Sequence, residues 1–195
     1  MRFIVVDGLD AAGKDTHARL IKERYESKGE DVIIRSHPSI DNTYGKNAKN
    51  ALFKRGKKQR VKATFYYALD VLNSLHRYYN DVDTLIFVRY LGGVAYLPYP
   101  MAKPLYHLFY TVLPTTDYMF FLDVNPKESY KRINGRDKKE MFENLDSLRE
   151  VRRRALKLVD DWHVIDTNQC IKEAQDEINK RLDYLDNNGH SQKQI

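Results

Sequence analysis

The sequence predicts an α/β fold in which a five-stranded parallel sheet carries helices on both faces. Two observations lead to this prediction. Short, continuously apolar runs rich in β-branched and aromatic residues are typical of strands buried on both sides, and they alternate with amphipathic segments at helical spacing. Strands that alternate with helices form right-handed βαβ crossovers, which bring the strands together in one parallel sheet.

Five apolar runs give the strands, and the segments between them give the helices. The predicted strands are residues 3–6, 31–35, 84–88, 119–124 and 163–166. The predicted helices are residues 16–28, 59–79, 126–133, 142–159 and 171–185. In the long helix over 59–79, helical spacing predicts one apolar face that contains Val61, Phe65, Ala68, Leu72, Leu75 and Tyr79. Residues 1–185 are expected to form a single domain and residues 186–195 a disordered tail.

The composition is that of an ordinary globular protein. Of the 195 residues, 42% are apolar and 31% are charged, which excludes a collagen-like or largely disordered chain. Lys and Arg together exceed Asp and Glu to give a net charge of +6, and this modest excess suits a substrate that carries phosphate as well as it suits nucleic acid. The single cysteine, Cys170, allows no intramolecular disulfide and argues against a structural zinc site.

The apolar segments do not predict membrane insertion. Asp7 interrupts the first apolar run after four residues, which is too early for a signal peptide. The segment 97–114 contains Lys103, His107 and four prolines, so it does not predict an uninterrupted membrane-spanning helix. A cytoplasmic protein is therefore expected.

The strongest motif is GLDAAGKD at residues 8–15, between a buried strand and a helix. Glycines allow the backbone to turn tightly, so that successive N–H groups and the helix N-terminus face an anion. Lys14 can then reach the β- and γ-phosphates of a nucleotide. The predicted ATP-binding residues of this loop are Gly8, Leu9, Asp10, Ala11, Ala12, Gly13, Lys14, Asp15 and Thr16.

The position after the lysine is unusual. A phosphate loop of this type ordinarily has Ser or Thr there to hold Mg²⁺, whereas this chain has Asp15 followed by Thr16. A carboxylate is itself a good ligand for Mg²⁺. Asp15 and Thr16 are therefore the candidate metal ligands, and ATP and Mg²⁺ are the expected cofactors.

Beyond this loop, several stretches resemble the thymidylate kinase family of P-loop nucleoside monophosphate kinases, in the order and at about the spacing of that family. They are VDGLDAAGKDT (6–16), IIRSHP (33–38), FYYALD (65–70), VRYLGGVAY (88–96) and LDVNPKESYKRINGR (122–136) followed by EMFE (140–143). The stretch VIDTNQ at 164–169 resembles the segment on which that family places the adenine of ATP. The resemblance implies a P-loop NTPase fold and transfer of the γ-phosphate of ATP to dTMP.

The resemblance also implies roles for individual residues at the acceptor side. Asp10 matches a residue that contacts the sugar of the acceptor nucleotide, and Arg89 matches the arginine that binds the acceptor phosphate. Tyr67 matches an aromatic side chain that stacks on the acceptor base, and Tyr96 takes a neighbouring position. The full set of predicted substrate-binding residues is Asp10, Arg35, Pro38, Tyr67, Arg89 and Tyr96.

The resemblance also implies a small lid at about 132–143 of the single domain, on a basic stretch of this chain. Arg132 and Arg136, with Lys138 and Lys139, occupy its positions, and Arg132 is added to the predicted ATP-binding residues. The phosphate loop has no basic residue between Asp10 and Gly13, so Arg136 is expected to close over the transferring group and stabilise its charge. The predicted catalytic residues are Lys14, Arg89 and Arg136. Since the family commonly forms homodimers, a homodimer through the aromatic face of the helix over 59–79 is expected.

Three positions depart from the family pattern. Val88 replaces the aspartate that precedes the arginine of the strand-end motif, and Ile40 and Val71 replace two further arginines. The loss of acceptor-site cations predicts weak dTMP kinase activity unless Arg35 or Lys103 compensates.

Three alternatives stay open at this point. One is a P-loop kinase that uses another nucleotide or a nucleoside as its acceptor, and another is a non-catalytic regulator that binds nucleotide. The third is nucleic-acid binding through a basic run, although a solvated helix face is the favoured interpretation of that run and nucleic acid is not an expected partner. The run contains Lys54, Arg55, Lys57, Lys58, Arg60 and Lys62.

Overall fold

A computed structural model gives the architecture of the chain and describes residues 1–54, 56–97, 99–134 and 144–188. The strands are β1 (Arg2–Gly8), β2 (Val32–Ser36), β3 (Thr84–Val88), β4 (Met119–Asp123) and β5 (His163–Asp166). All pair in parallel in the order β2-β3-β1-β4-β5, so the predicted five-stranded parallel sheet is confirmed. Because β1 lies at the centre, its carboxyl end faces the crevice where open α/β sheets bind ligands.

Seven helices surround the sheet within the described residues. They are α1 (Lys14–Glu26), α2 (Thr43–Leu52), α3 (Lys57–Tyr78), α4 (Tyr99–Val112), α5 (Pro126–Asn134), α6 (Leu145–Ala155) and α7 (Ile171–Asn188), and a 3₁₀ turn spans Gly92–Tyr96. None of these helices is both long and apolar enough to cross a membrane. Residues 135–143 of the predicted lid lie outside the described residues.

The sequence pattern does not predict α2. Its residues include glycine and asparagine, which are poor helix formers, so local propensity gives little signal. The helix is instead fixed at its start, where the Asn42 side chain accepts a hydrogen bond from the Gly45 N–H at 2.9 Å. A Cβ atom at Gly45 would lie 2.1 Å from the carbonyl oxygen of Ser39, so only glycine allows this close approach.

The apolar face predicted for α3 is divided between the core and the surface. Leu75 is buried, whereas Val61, Phe65 and Leu72 are exposed, with 67%, 59% and 48% of their surface accessible. The inward side of the helix also carries two fully buried polar side chains, Asp70 and Ser74. Both form hydrogen bonds to the loop that follows β2, Asp70 with Ser39 and Ser74 with His37.

The last helix is longer than the sequence pattern predicts. α7 continues to Asn188 and therefore includes the first residues of the segment expected to be a tail. Asp186 holds this end in place, because its carboxylate accepts hydrogen bonds from Arg2 Nε at 3.1 Å, Tyr25 Oη at 3.2 Å and Tyr118 Oη at 3.1 Å. Residues 189–195 lie outside the described residues.

Candidate active site

The phosphate loop adopts a backbone that its glycines make possible. Gly8 has φ +146°, and a Cβ atom there would lie 2.4 Å from the carbonyl oxygen of Leu122 on the adjacent strand. Gly13, with φ +89°, turns the chain into α1 directly before Lys14. The first amides of α1 therefore lie at the carboxyl end of the central strand, in the arrangement that binds anions.

Lys14 lies within the loop. Its Nζ donates hydrogen bonds to the carbonyl oxygens of Gly8, at 2.9 Å, and Leu9, and the residue is only 2% exposed. Burial, together with the positive charge of Arg89, lowers the pKa of Lys14 to about 8, although Asp10 and Asp7 act in the opposite direction. The lysine therefore carries its charge close to the phosphate loop at neutral pH.

Asp15, Ser36 and Arg89 form a cluster between α1 and the ends of β2 and β3. Ser36 Oγ donates to Asp15 Oδ1 at 2.9 Å, Arg89 Nη1 donates to Ser36 Oγ at 3.2 Å, and Arg89 Nη1 lies 3.7 Å from Asp15 Oδ2. Burial opposes the charge of Arg89, but the carboxylates of Asp10 and Asp15 raise its pKa. This cluster joins the predicted donor site to the predicted acceptor arginine. Ser36 is a member that the sequence motifs do not single out, and its place at the carboxyl end of a strand is the signal that could have found it.

The oxygen atoms beside the loop suit a magnesium ion that is also bound by phosphate. Mg²⁺ usually takes one or two protein carboxylates together with substrate phosphates and water. Asp15 supplies an exposed carboxylate, and Thr16 supplies a hydroxyl in the same turn of α1. Across the described residues, no group of three or more His, Cys, Asp or Glu side chains forms a metal site independent of a nucleotide.

Asp10 and Tyr96 lie together on the other side of the loop. Tyr96 Oη donates a hydrogen bond of 2.7 Å to Asp10 Oδ2, and burial together with this carboxylate raises the pKa of Tyr96. The carbonyl oxygen of Asp10 accepts a hydrogen bond of 2.6 Å from Ser129 Oγ. Asp10 and Tyr96 are far apart in the sequence, and this hydrogen bond holds them together, as expected of two residues predicted to bind the same acceptor.

Arg132 connects the phosphate loop to the segment that resembles an adenine site. Its Nη1 donates to the carbonyl oxygen of Ala11 and its Nη2 to that of Thr167, both at 3.3 Å, while Nε pairs with Glu128 at 3.0 Å. This position fits its predicted place in the donor site. Arg136, with Lys138 and Lys139, lies outside the described residues.

His37 organises the loop that leads into the acceptor side. Its Nδ1 lies 3.2 Å from the carbonyl oxygen of Arg89, and its Nε2 lies 3.0 Å from Ser74 Oγ. Burial lowers the pKa of His37 to about 4, so the ring is neutral at physiological pH. Nδ1 therefore donates to the carbonyl of Arg89, a residue held at φ +62°, and Nε2 accepts from the serine.

Arg35 is less available to bind an acceptor phosphate than the sequence predicts. Its Nη1 and Nη2 donate to the two carboxylate oxygens of Asp41 at 2.6 and 2.9 Å, and this pairing lowers the pKa of Asp41. The charge of Arg35 is therefore already offset before any acceptor binds. Lys103 is exposed on α4 and is not among the residues around the cavity described next.

A cavity of about 600 Å³ brings the acceptor-side residues together. All six predicted substrate-binding residues line it: Asp10, Arg35, Pro38, Tyr67, Arg89 and Tyr96. Ile40 and Val71, which stand where the family has arginines, also line it, whereas Val88 is fully buried within the sheet. Tyr67 is held in the wall by a hydrogen bond of 3.3 Å from its hydroxyl to the carbonyl oxygen of Tyr90.

Comparison with known proteins confirms the predicted family. The family model for thymidylate kinase matches residues 6–178. The chain is 30% identical over 175 residues to a probable thymidylate kinase of Thermococcus onnurineus, covering 81% of this chain and 84% of that protein. It is 26% identical over 185 residues to one of Archaeoglobus fulgidus, covering 92% and 94%.

A solved structure shows the same fold. The thymidylate kinase of Candida albicans, whose structure is described as revealing the origin of broad substrate specificity, superposes with a TM-score of 0.77 at 17% identity. The superposition covers 100% of this chain and 96% of the other. The predicted P-loop NTPase fold is thereby confirmed. Because this family model matches residues 6–178, which include the phosphate loop and most of the sheet, the chain belongs to the thymidylate kinase family.

Proposed function

We propose that this protein transfers the γ-phosphate of ATP to dTMP and so produces ADP and dTDP. The observation that carries the proposal is a cavity that meets the phosphate loop and is lined by all six residues predicted to bind the acceptor. Membership of the family supports both the reaction class and the choice of acceptor.

Phosphoryl transfer requires little covalent chemistry from the protein. Phosphoryl transfer is accelerated mainly by positioning and by cations around the oxygens of the transferring group. The loop amides and Lys14 bind the donor phosphates, and Arg89 binds the acceptor phosphate. Asp10 and Tyr96, joined by their hydrogen bond, orient the sugar of the acceptor. Asp15 and Thr16 would hold Mg²⁺, which would supply positive charge beside the donor phosphates. Arg136 is proposed from the sequence to complete the cation set.

An assay of ADP release over all nucleoside monophosphates and nucleosides, with and without Mg²⁺, tests this function. We expect turnover that depends on dTMP and on Mg²⁺. Turnover with a nucleoside and none with any monophosphate would assign a different kinase activity. Nucleotide binding without turnover of any acceptor would instead identify a regulator.

Asp15 is expected to set the affinity for magnesium. Asp15→Ala removes the carboxylate and should raise the Mg²⁺ concentration that is needed for half-maximal ADP binding about tenfold or more, because a charge-assisted metal contact is lost. Asp15→Thr restores a hydroxyl and should keep tight binding. Calorimetric titration of ADP at a series of Mg²⁺ concentrations measures both effects without relying on catalysis, and Asp146→Ala, an exposed first-turn aspartate of α6, is the matched control. Identical Mg²⁺ titrations for the wild type and both Asp15 variants would show that Asp15 is not a ligand.

We also propose a homodimer that buries the exposed apolar side chains of α3. Val61, Phe65 and Leu72 lie on the surface of this helix, which is unusual for side chains of this size at one location. Phe65→Lys should shift the protein from dimer to monomer in sedimentation equilibrium while leaving its thermal stability as a monomer unchanged. A wild-type protein that sediments as a monomer at micromolar concentration would contradict the proposal.

We also propose a cytoplasmic location for the protein, which cell fractionation would test.

A further inference from the structure

Three cationic side chains of the described residues line the acceptor cavity, and two of them face a carboxylate. These cations are Arg35, Lys49 and Arg89. Arg35 donates to both carboxylate oxygens of Asp41, and Arg89 Nη1 lies 3.7 Å from Asp15 Oδ2. In contrast, no ion pair joins Lys49 to a carboxylate in the part of the chain that the structure describes. Lys49 therefore brings to this cavity a positive charge that no such pairing offsets.

The packing of helix α2 turns Lys49 towards the cavity. Gly45, Ala48 and Ala51 are buried at helical spacing, and α2 packs against α3. Lys49 follows the buried Ala48 and is itself exposed, and Leu52 lines the same cavity. Because Lys49 and Leu52 are three positions apart, they share one side of the helix. The rotation of α2 therefore places the lysine at the cavity before any ligand binds.

A buried hydrogen-bond network fixes the start of α2 on the helix that carries the predicted stacking aromatic. Asn42 Nδ2 donates to Asp70 Oδ1 and to Ser39 Oγ, both at 2.7 Å. The backbone N–H of Ser39 donates to Asp70 Oδ2 at 2.6 Å. Asp70 is fully buried on α3, three residues after Tyr67. The helix that carries Lys49 and the aromatic wall of the cavity are thus held in a fixed relation.

The phosphate of a nucleoside monophosphate calls for more than one cation. A phosphate monoester carries about −1.5 to −2 charges at pH 7. Arg89 provides one positive charge, part of which its neighbouring carboxylate offsets. Ile40 and Val71 line the cavity where the family has arginines, and Lys103 lies outside it. Lys49 has a flexible side chain with three N–H donors, and among the described residues it is the remaining cation of the cavity that no carboxylate holds.

We infer that Lys49 binds the phosphate of the acceptor together with Arg89. The inference rests on the proposed transfer to dTMP and adds a binding residue to its acceptor site. A contact with the phosphate is favoured over one with the base, because hydrogen bonds that involve charged groups are about twice as strong as those between neutral groups. Lys49 then supplies the charge that Ile40 and Val71 do not, and dTMP binds without an arginine at either position.

Calorimetric titration with dTMP and with thymidine, which lacks the phosphate, tests the inference. Lys49→Gln removes the charge and should raise the Kd of dTMP about tenfold to a hundredfold, while the Kd of thymidine and that of ADP stay within twofold. Lys49→Arg keeps the charge and should recover most of the affinity for dTMP. Lys46→Gln is the matched control, because Lys46 is exposed on the same helix but does not line the cavity, and it should alter none of these constants.

The outcomes separate this inference from the proposed function. If the wild type turns over dTMP and Lys49→Gln binds dTMP as tightly as the wild type does, the inference is wrong and the proposed function stands. Equal losses of dTMP and thymidine affinity would also overturn the inference, since the lysine would then act on the nucleoside and not on the phosphate. A wild-type protein that binds ADP with Mg²⁺ but neither binds nor turns over dTMP would overturn both.

Discussion

Replacing Lys14 with alanine is expected to lower kcat/KM at least a thousandfold. A preorganised donor in an active site is worth about a hundredfold to a thousandfold, and Lys14 adds a full charge at a buried position. The fold should persist. The variant loses the hydrogen bonds to the carbonyl oxygens of Gly8 and Leu9, but it no longer buries a charged ammonium, and these effects oppose one another. Single-turnover kinetics and a thermal melt measure the two quantities.

The pH dependence of donor binding gives the control for this result. Since burial lowers the pKa of Lys14 to about 8, the free enzyme loses this charge as the pH rises through that value. ADP affinity should therefore be constant from pH 6.5 to 7.5 and fall towards tenfold per pH unit above pH 8. Lys14→Arg keeps its charge in this range, and its affinity should not change with pH. A flat wild-type profile up to pH 9.5 would show that Lys14 does not bind the phosphates through its charge.

Replacing Arg89 with lysine is expected to raise the KM for the acceptor by about tenfold to a hundredfold. Lysine keeps the charge but loses the planar pair of donors that binds phosphate, and each charge-assisted hydrogen bond contributes about 1.5–3 kcal/mol. Donor affinity should change less than this KM, because lysine keeps the positive charge that faces Asp15 and Lys14. Steady-state kinetics with the acceptor varied, together with calorimetry of ADP, measure the two effects.

Arg149→Lys makes the same substitution at an exposed position on α6 and should leave both constants unchanged. An Arg89→Lys variant with the wild-type KM for the acceptor would place the acceptor phosphate elsewhere. Arginine and lysine both carry a Cβ atom, so the cost of the φ +62° backbone at position 89 should be the same for both and should not contribute to the comparison.

The sequence predicted the structure correctly where the structure depends on a local pattern of residues. The strand before Gly8 is apolar in consecutive positions because both of its faces are buried, and the phosphate loop needs glycine because its backbone passes next to Leu122. Such constraints act within a few residues, so they can be seen without the fold. For the same reason, α1 and the apolar spacing of α7 were predicted closely, while the added length of α7 depends on partners far away along the chain.

The acceptor side could not be assigned from local patterns alone. The motifs named Arg35 as a compensating cation, but only the packed structure shows Asp41 neutralising it. Likewise, the spacing of large apolar residues on α3 does not show that Asp70 and Ser74 turn inward to bind Ser39 and His37. A buried hydrogen bond to a distant loop has no periodic signature in the sequence.

The sequence by itself determined the parallel α/β sheet and the anion-binding loop, because both depend on the short-range spacing of residue types, and its resemblance to the thymidylate kinase family indicated the reaction class. Only the tertiary structure decided how the acceptor cavity is built. Its charged end is formed where β1 and β3 finish side by side, and its other side is formed by helices that the chain places there through long-range contacts. The physical reason is that burial and pairing of a side chain depend on neighbours brought together by folding, whereas the turn of a loop depends on the residues within it.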